Sequence, residues 1–219
     1  MNTKFKESFV ITISREVGSG GRTIGRKLAE KLDINYFDKE LIKILMKRFD
    51  LNAETIEQIK GEKKSWLSDF VRLVSPMPAA TAIIKSDSEY GKEYYSEVTT
   101  GDIYKAESEI LRGLAAEGAC IIAGRSGFHI LEGHPNKVDI FITASRPNRI
   151  QRIMAKQNVS EKEAEDIIER VDESRENYIK RFTGKSRYDS RNYDLSLNVD
   201  NLTEDQAAEV ILSYLEKVL

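Results

Sequence analysis

Three of the four residues Gly18-Ser19-Gly20-Gly21 are glycine, and they stand between an apolar run, Phe9-Val10-Ile11-Thr12-Ile13, and a stretch of helical spacing. This is where chemistry on an anion is to be sought. A phosphate needs several backbone N–H groups turned inward at once, which calls for close approach and positive φ, and glycine accepts both without a side-chain clash. A helix beginning directly afterwards adds unpaired amides and the positive end of its dipole, worth about 0.3–2 kcal/mol to an anion. The expected phosphate-binding set is therefore Gly18, Ser19, Gly20, Gly21, Arg22 and Thr23, with the amides from Val17 to Arg22 converging on one ion. A tight unliganded turn is the bland alternative, and the density of glycine argues against it.

Further candidates follow other apolar runs. Asp38 comes directly after Ile34-Asn35-Tyr36-Phe37, and Gly124-Arg125 after Ala119-Cys120-Ile121-Ile122-Ala123. Arg170, Asp172 and Arg175 lie on a long polar stretch of helical character. At i,i+3 spacing Asp172 and Arg175 share a face, where an ordinary surface pair contributes only about 0.2–0.5 kcal/mol. His129 and His134 have no companion ligands, so no protein-ligated metal site is expected. Tyr94-Tyr95 reads as packing.

Those residues need elements to hold them. Phe9–Ile13, Ile34–Phe37, Ala119–Ala123, Val138–Ile142 and Asp194–Val199 read as five short strands, each too apolar to face water. Between them fall helical patterns: Thr23 to Leu32 with Thr23 as cap, a helix opened by Ser145 or Arg146-Pro147, a helix from Ser160 to Arg181 with the capping-box start Ser160-Glu161-Lys162-Glu163, and a closing helix from Glu204 to Leu219. Residues 39–118 look like a helical insertion, broken near Ser75-Pro76-Met77-Pro78, and 155–192 an arginine-rich lid region. The fold expected is a single α/β domain over 1–219: three layers, a parallel five-stranded sheet with helices on both faces. In such sheets ligands sit beyond the carboxyl ends of the strands, which is where the candidate residues fall.

From Ile11-Thr12-Ile13-Ser14-Arg15 through Gly18-Ser19-Gly20-Gly21-Arg22 to Leu28-Ala29, the chain resembles the cytidylate kinase-like family, a branch of the P-loop nucleoside monophosphate kinases. The resemblance resumes at Ala123-Gly124-Arg125, at Arg149 to Met154 and at the closing strand and helix. It implies ATP and Mg2+ as cofactors, and a nucleotide plus a small phosphoryl acceptor as partners. Asp38 and Arg125 then belong to the acceptor side, together with Asp172, and Arg170 and Arg175 belong to a lid whose arginines meet the transferring phosphate, with Arg22 the third catalytic candidate. The chain also departs from the family pattern. The motif G-x-x-x-x-G-K-[ST] is absent as written; read without a gap its lysine falls on Gly21, and with one extra loop residue Arg22 and Thr23 take the lysine and hydroxyl places. The cation must be arginine, from Arg22, Arg15 or Arg125, and arginine is not an equivalent point charge. Lys39, Glu40 and Ser126 stand where the family has hydroxyl, glycine and aspartate, which weakens any preference for cytosine.

Two rivals remain at this point: a nucleotide-binding sensor without catalysis, and a dinucleotide-binding protein, since Asp38 stands twenty residues beyond Gly18. The second lacks the third glycine of G-x-G-x-x-G, because Thr23 stands there. A formal net charge of -2 speaks against nucleic acid as a partner. The single Cys120, inside an apolar run, points to a buried thiol in a reducing compartment. With no signal-like amino terminus and no long apolar run, the expectation is a cytoplasmic protein with no membrane partner, and homo-oligomerisation is left open.

Overall fold

The computed structural model describes residues 8–38 and 100–219. Strand β1 (Val10–Arg15) is buried along its whole length because it pairs on both sides, with β3 (Cys120–Ala123) and with β4 (Lys137–Thr143). It runs two residues beyond the apolar run that marks it in the sequence. Ser14 and Arg15 stay in register with Phe141 and Ile142, since the ladder is made by backbone groups and continues through polar residues. With β2 (Asn35–Phe37) and β5 (Leu195–Asn198) the sheet is five-stranded and wholly parallel, in the order β2-β3-β1-β4-β5. The three-layer α/β architecture expected from the sequence is the one found.

Alternation along the central strands divides the core. Ile11, Ile13, Ile121, Ile140 and Ile142 face the layer formed by α1 (Gly21–Leu32) and α6 (Glu204–Val218), which contribute Ile24, Leu28, Ala208 and Ile211. Val10, Cys120 and Ile122 face the opposite layer, against Leu111 and Ala115 of α2 (Thr100–Glu117) and Ile130 of the short α3 (Gly127–Ile130). Each such fully buried aliphatic side chain stabilises the fold by about 1.5–3 kcal/mol. Burial also pushes the Cys120 thiol up to about 11, as expected of a cysteine acting as a small hydrophobe.

A third cluster carries the glycine loop. Val17 packs with Ile150 and Ile153 of α4 (Arg146–Gln157) and with Ala164, Ile168 and Val171 of α5 (Glu161–Thr183). The helix that looked polar in the sequence therefore has an apolar stripe that grips both α4 and the loop. Its capping box at Ser160 and Glu163 forms as expected. A second box, at Thr203 and Gln206, opens α6.

The start of α1 differs from the sequence expectation. The helix begins at Gly21, with Gly20 in the left-handed region at φ 81° as its cap, and the Ile24 amide bonds to the Gly20 carbonyl at 3.1 Å. Thr23 is thereby the third helical residue and no cap. Of the inserted segment, residues 39–99 lie outside the described residues, and with them the Ser75–Pro78 break and Tyr94-Tyr95; α2 is its described end. Among the described residues no helix is long and apolar enough to cross a membrane.

Candidate functional site

The glycine turn bends through two left-handed residues, Gly18 and Gly20, each at φ 81°. Backbone sterics restrict such geometry largely to glycine. At Gly18 space does so as well, since an added Cβ would lie 2.7 Å from the Arg149 carbonyl oxygen. The loop's amides are divided. Val17 N–H goes to Asp172 Oδ1 at 3.1 Å, Ser19 N–H to the Glu16 carbonyl at 3.4 Å, and Gly21 N–H to Ser19 Oγ at 3.4 Å. Those of Gly18, Gly20, Arg22 and Thr23 have no protein acceptor among the described residues. The expected donor set is thus corrected: alternate amides hold the loop's shape, and the intervening ones, with the first turn of α1, are left for a ligand.

These open donors line a cavity of about 330 Å³ at the carboxyl end of the sheet. The loop contributes Gly18, Gly20, Gly21, Arg22 and Thr23 to its wall. Around them stand the cations Arg15, Arg152, Lys156 and Arg175, against two carboxylates, Glu16 and Glu204. Arg22 included, the wall carries a surplus of three positive charges, suited to a polyanion. Arg152 Nη1 donates to the Ser19 carbonyl at 2.8 Å, which draws α4 onto the loop. Lys156 has its pKa lowered by burial first and then by the fields of Arg22 and Arg26, with Glu204 opposing. Burial likewise lowers Arg22, against the raising effect of Asp38.

Asp172 proves to be the centre of the scaffold. Almost wholly buried, it receives Val17 N–H, Arg175 Nη1 at 3.3 Å and Arg187 Nη1 at 3.2 Å on one oxygen, and pairs closely with Arg149 Nη2 through the other. Arg149 also donates to the Val17 carbonyl at 2.7 Å and to Glu16 Oε1 at 3.1 Å. Arg175 at 3.2 Å and Arg187 both donate to the Arg15 carbonyl. One carboxylate and three guanidiniums therefore bind α4, α5 and the segment after α5 to the backbone on either side of Glu16. Burial pulls the Arg175 guanidinium down to about 9, in spite of Asp172. It remains a cation at neutral pH.

Asp38, also buried, is shared between Arg15 Nη2, 3.1 Å from Oδ1, and Arg22 Nε, 3.0 Å from Oδ2. The second contact is an ion pair whose angle is not that of a hydrogen bond. Arg125 takes a left-handed backbone at φ 58° and pairs with the buried Glu107 at 2.8 Å, an oxygen pair that Tyr178 also reaches. Tyr178 is raised well above its ordinary value by burial first and then by Glu107. Of the residues singled out in the sequence, Gly18, Gly20, Gly21, Arg22, Thr23 and Arg175 come together at the cavity, whereas Ser19 is fully buried outside its wall, its hydroxyl donating to the Glu16 carbonyl at 2.9 Å. Asp38, Arg125 and Asp172 lie behind it in ion pairs with the protein, and Arg170 is on the exposed side of α5, outside the cavity wall. His129 pairs with Glu132 at 3.3 Å, and no metal-binding cluster occurs among the described residues. Sequence reasoning missed Arg149, Arg152, Lys156, Arg187 and Glu204. The spacing of Arg149, Arg152 and Lys156, three and then four residues apart, is a signal that could have found one basic face of α4.

A parallel sheet of this order, a glycine loop from its central strand into a helix, and a basic cavity above that loop define a kinase-type P-loop α/β protein. The order differs from the 3-2-1-4-5-6 of dinucleotide-binding sheets, in which strand 2 adjoins strand 1. The profile described as the cytidylate kinase-like family matches residues 10–201, and the chain belongs to that family, among the nucleotide-kinase-like phosphotransferases. Solved structures agree in fold. An uncharacterized protein from Eubacterium ventriosum is 23% identical with a TM-score of 0.66, covering 95% of this chain and 98% of its own. A shikimate kinase from Bacteroides thetaiotaomicron is 13% identical with a TM-score of 0.54, over 95% and 98%. Another from Acinetobacter baumannii, solved with shikimate, is 12% identical with a TM-score of 0.51, over 97% and 94%. No curated protein gave a significant match.

Proposed function

We propose that this protein binds ATP with Mg2+ at the glycine loop and transfers the γ-phosphoryl group to a small acceptor such as a nucleoside monophosphate. The observation that carries this reading is the set of unpaired amides at Gly18, Gly20, Arg22 and Thr23, opening on a cavity whose wall has a surplus of positive charge. In the reaction an acceptor oxygen attacks the γ-phosphorus while its bond to the β–γ bridging oxygen breaks. ADP leaves with that electron pair, and the acceptor's proton is lost to solvent. Such chemistry needs positioning and charge stabilisation more than covalent help from the protein. Arg175, Arg152 and Arg22 supply the charge, and the apolar clasp of α4 and α5 on Val17 keeps the loop rigid.

The residues present fit a magnesium ion held mainly through the nucleotide. Thr23 lines the cavity, and its hydroxyl has no protein partner among the described residues. Mg2+ keeps most of its waters and needs few protein ligands beside phosphate oxygens. When bound it would neutralise charge on the nucleotide's phosphates.

A second reading, nucleotide binding without transfer, is favoured by one observation: Asp38, Arg125 and Asp172, the acceptor-side candidates, are each engaged in internal ion pairs. Calorimetric titration with ATP–Mg2+ and a coupled assay of ADP release over a panel of nucleoside monophosphates separate the two. Transfer to any member establishes the first reading. Binding without ADP release across the panel removes nucleoside monophosphates as acceptors and favours the second, and absence of nucleotide binding refutes both.

A further inference from the structure

We infer that Arg15, at the end of β1, is the phosphate-binding cation in place of the lysine that the loop lacks, and that Gly21 is a glycine because the Arg15 side chain crosses the space a larger residue there would need. The inference rests on the nucleotide reading above. Gly21 is the first residue of α1, where the loop pattern read without a gap places its lysine. Its backbone is helical and has no need of glycine, and glycine is among the least favoured residues in a helix. Space supplies the reason. A Cβ at position 21 would lie 2.8 Å from Arg15 Cβ and 3.2 Å from Arg15 Cγ. The stem of Arg15 thus occupies the ground over which a side chain from position 21 would leave the helix.

The far end of the same side chain has a second glycine against it. A Cβ on Gly124, just after β3, would stand 2.3 Å from Arg15 Nη1, at a residue whose φ of 85° favours glycine in any case. Two glycines therefore bracket one arginine, the first along its stem and the second at its head. Asp38 Oδ1, 3.1 Å from Nη2, fixes the head, and the Arg15 carbonyl is held by Arg175 and Arg187. The result is a guanidinium held at two points on a buried residue that lines the cavity wall. A planar fork preset in this way loses little freedom on meeting phosphate oxygens. Of the two other arginines that could serve, Arg125 lies outside the cavity wall. Arg22 leaves the second helical position, and no glycine makes way for it among those whose surroundings are described.

The test compares affinity for ATP with affinity for AMP, which lacks the β- and γ-phosphates. Both are measured by displacement of a fluorescent ATP analogue from the wild type and from Arg15→Gln, Arg22→Gln and Arg15→Lys. Loss of a charge-assisted contact to phosphate predicts that Arg15→Gln binds ATP about 10- to 100-fold more weakly, with AMP changed by less than about 3-fold and Arg15→Lys between. A purely structural role would weaken both ligands alike, and that result overturns the inference, as does a selective loss of ATP in Arg22→Gln alone. Should Arg15→Gln fail to fold, the exchange Arg15→Ala with Gly21→Lys decides. It returns the cation to the helix in the space the stem has left, so a folded double variant must regain preference for ATP over AMP, and one without it sinks the proposal. If the wild type itself binds neither nucleotide, the underlying reading fails as well, which is a different result from loss of selectivity.

Discussion

Replacing Asp172 by asparagine keeps the shape of the side chain and removes the one negative charge shared by Arg149, Arg175 and Arg187. Breaking a buried ion pair by neutralising one partner costs about 3–5 kcal/mol, because the remaining charge is left in a poor solvent. Here the lower end applies. Arg149 keeps Glu16 and the Val17 carbonyl, and Arg187 and Arg175 keep the Arg15 carbonyl, so each guanidinium retains some compensation. Asparagine can still accept Val17 N–H through its oxygen, yet its amide hydrogens then face the Arg149 guanidinium. A loss of about 3 kcal/mol in a chain of this length lowers Tm by about 6–12 °C. Thermal melts followed by circular dichroism measure it, and the same samples titrated with ATP report on the loop, whose geometry on either side of Glu16 depends on these contacts. A Tm within about 2 °C of the wild type would show that the three arginines are satisfied without the carboxylate, and the account of Asp172 as the centre of the scaffold would be wrong.

Gly18→Ala forces a Cβ onto a residue at φ 81° and to within 2.7 Å of the Arg149 carbonyl; strain of this kind costs about 1–3 kcal/mol, so a lower Tm and weaker ATP binding are expected together in a melt and a titration. Lys156 has a pKa below its ordinary value, which means that the free protein holds its proton less tightly than the unfolded chain, and its contribution to stability grows as pH rises between the folded and the unfolded pKa. Phosphate beside it reverses the shift, so ATP binding should take up protons at alkaline pH, measurable as a dependence of the binding enthalpy on buffer ionisation, and Lys156→Met should abolish that component. Cys120, with its thiol at about 11, should react with an aromatic disulfide reagent at pH 8 only when the protein unfolds; prompt reaction of the folded chain would contradict its burial.

Much of this protein is legible because its signals are local. Runs such as Ala119–Ala123 and Val138–Ile142 are apolar because strands with helices on both sides have no wet face, and a parallel sheet follows from alternating such runs with helices. The glycine loop is legible for a similar reason, since positive φ is a property of single residues. The start of α1 was misread by two residues because Thr23 is an ordinary cap type, whereas the actual cap is a glycine whose role depends on the whole loop's path.

Charged residues were harder, and for one cause. Arg170 and Arg175 looked equivalent in the sequence, but five residues on a helix turn the side chain by about 140°, and only Arg175 can face the cavity when Ile167, Ile168 and Val171 are turned to the core. Asp172 meets Val17 across 155 residues and Arg149 across 23, and its local pairing with Arg175 gives no sign of either contact. By itself the sequence determined the sheet, the loop and the place of the candidate site at the strand ends, because backbone preference and burial act over a few residues. Which guanidinium lines the cavity and which is consumed by the scaffold was decided by tertiary structure, because an ion pair is chosen by whatever distant element packing brings within about 3 Å of it.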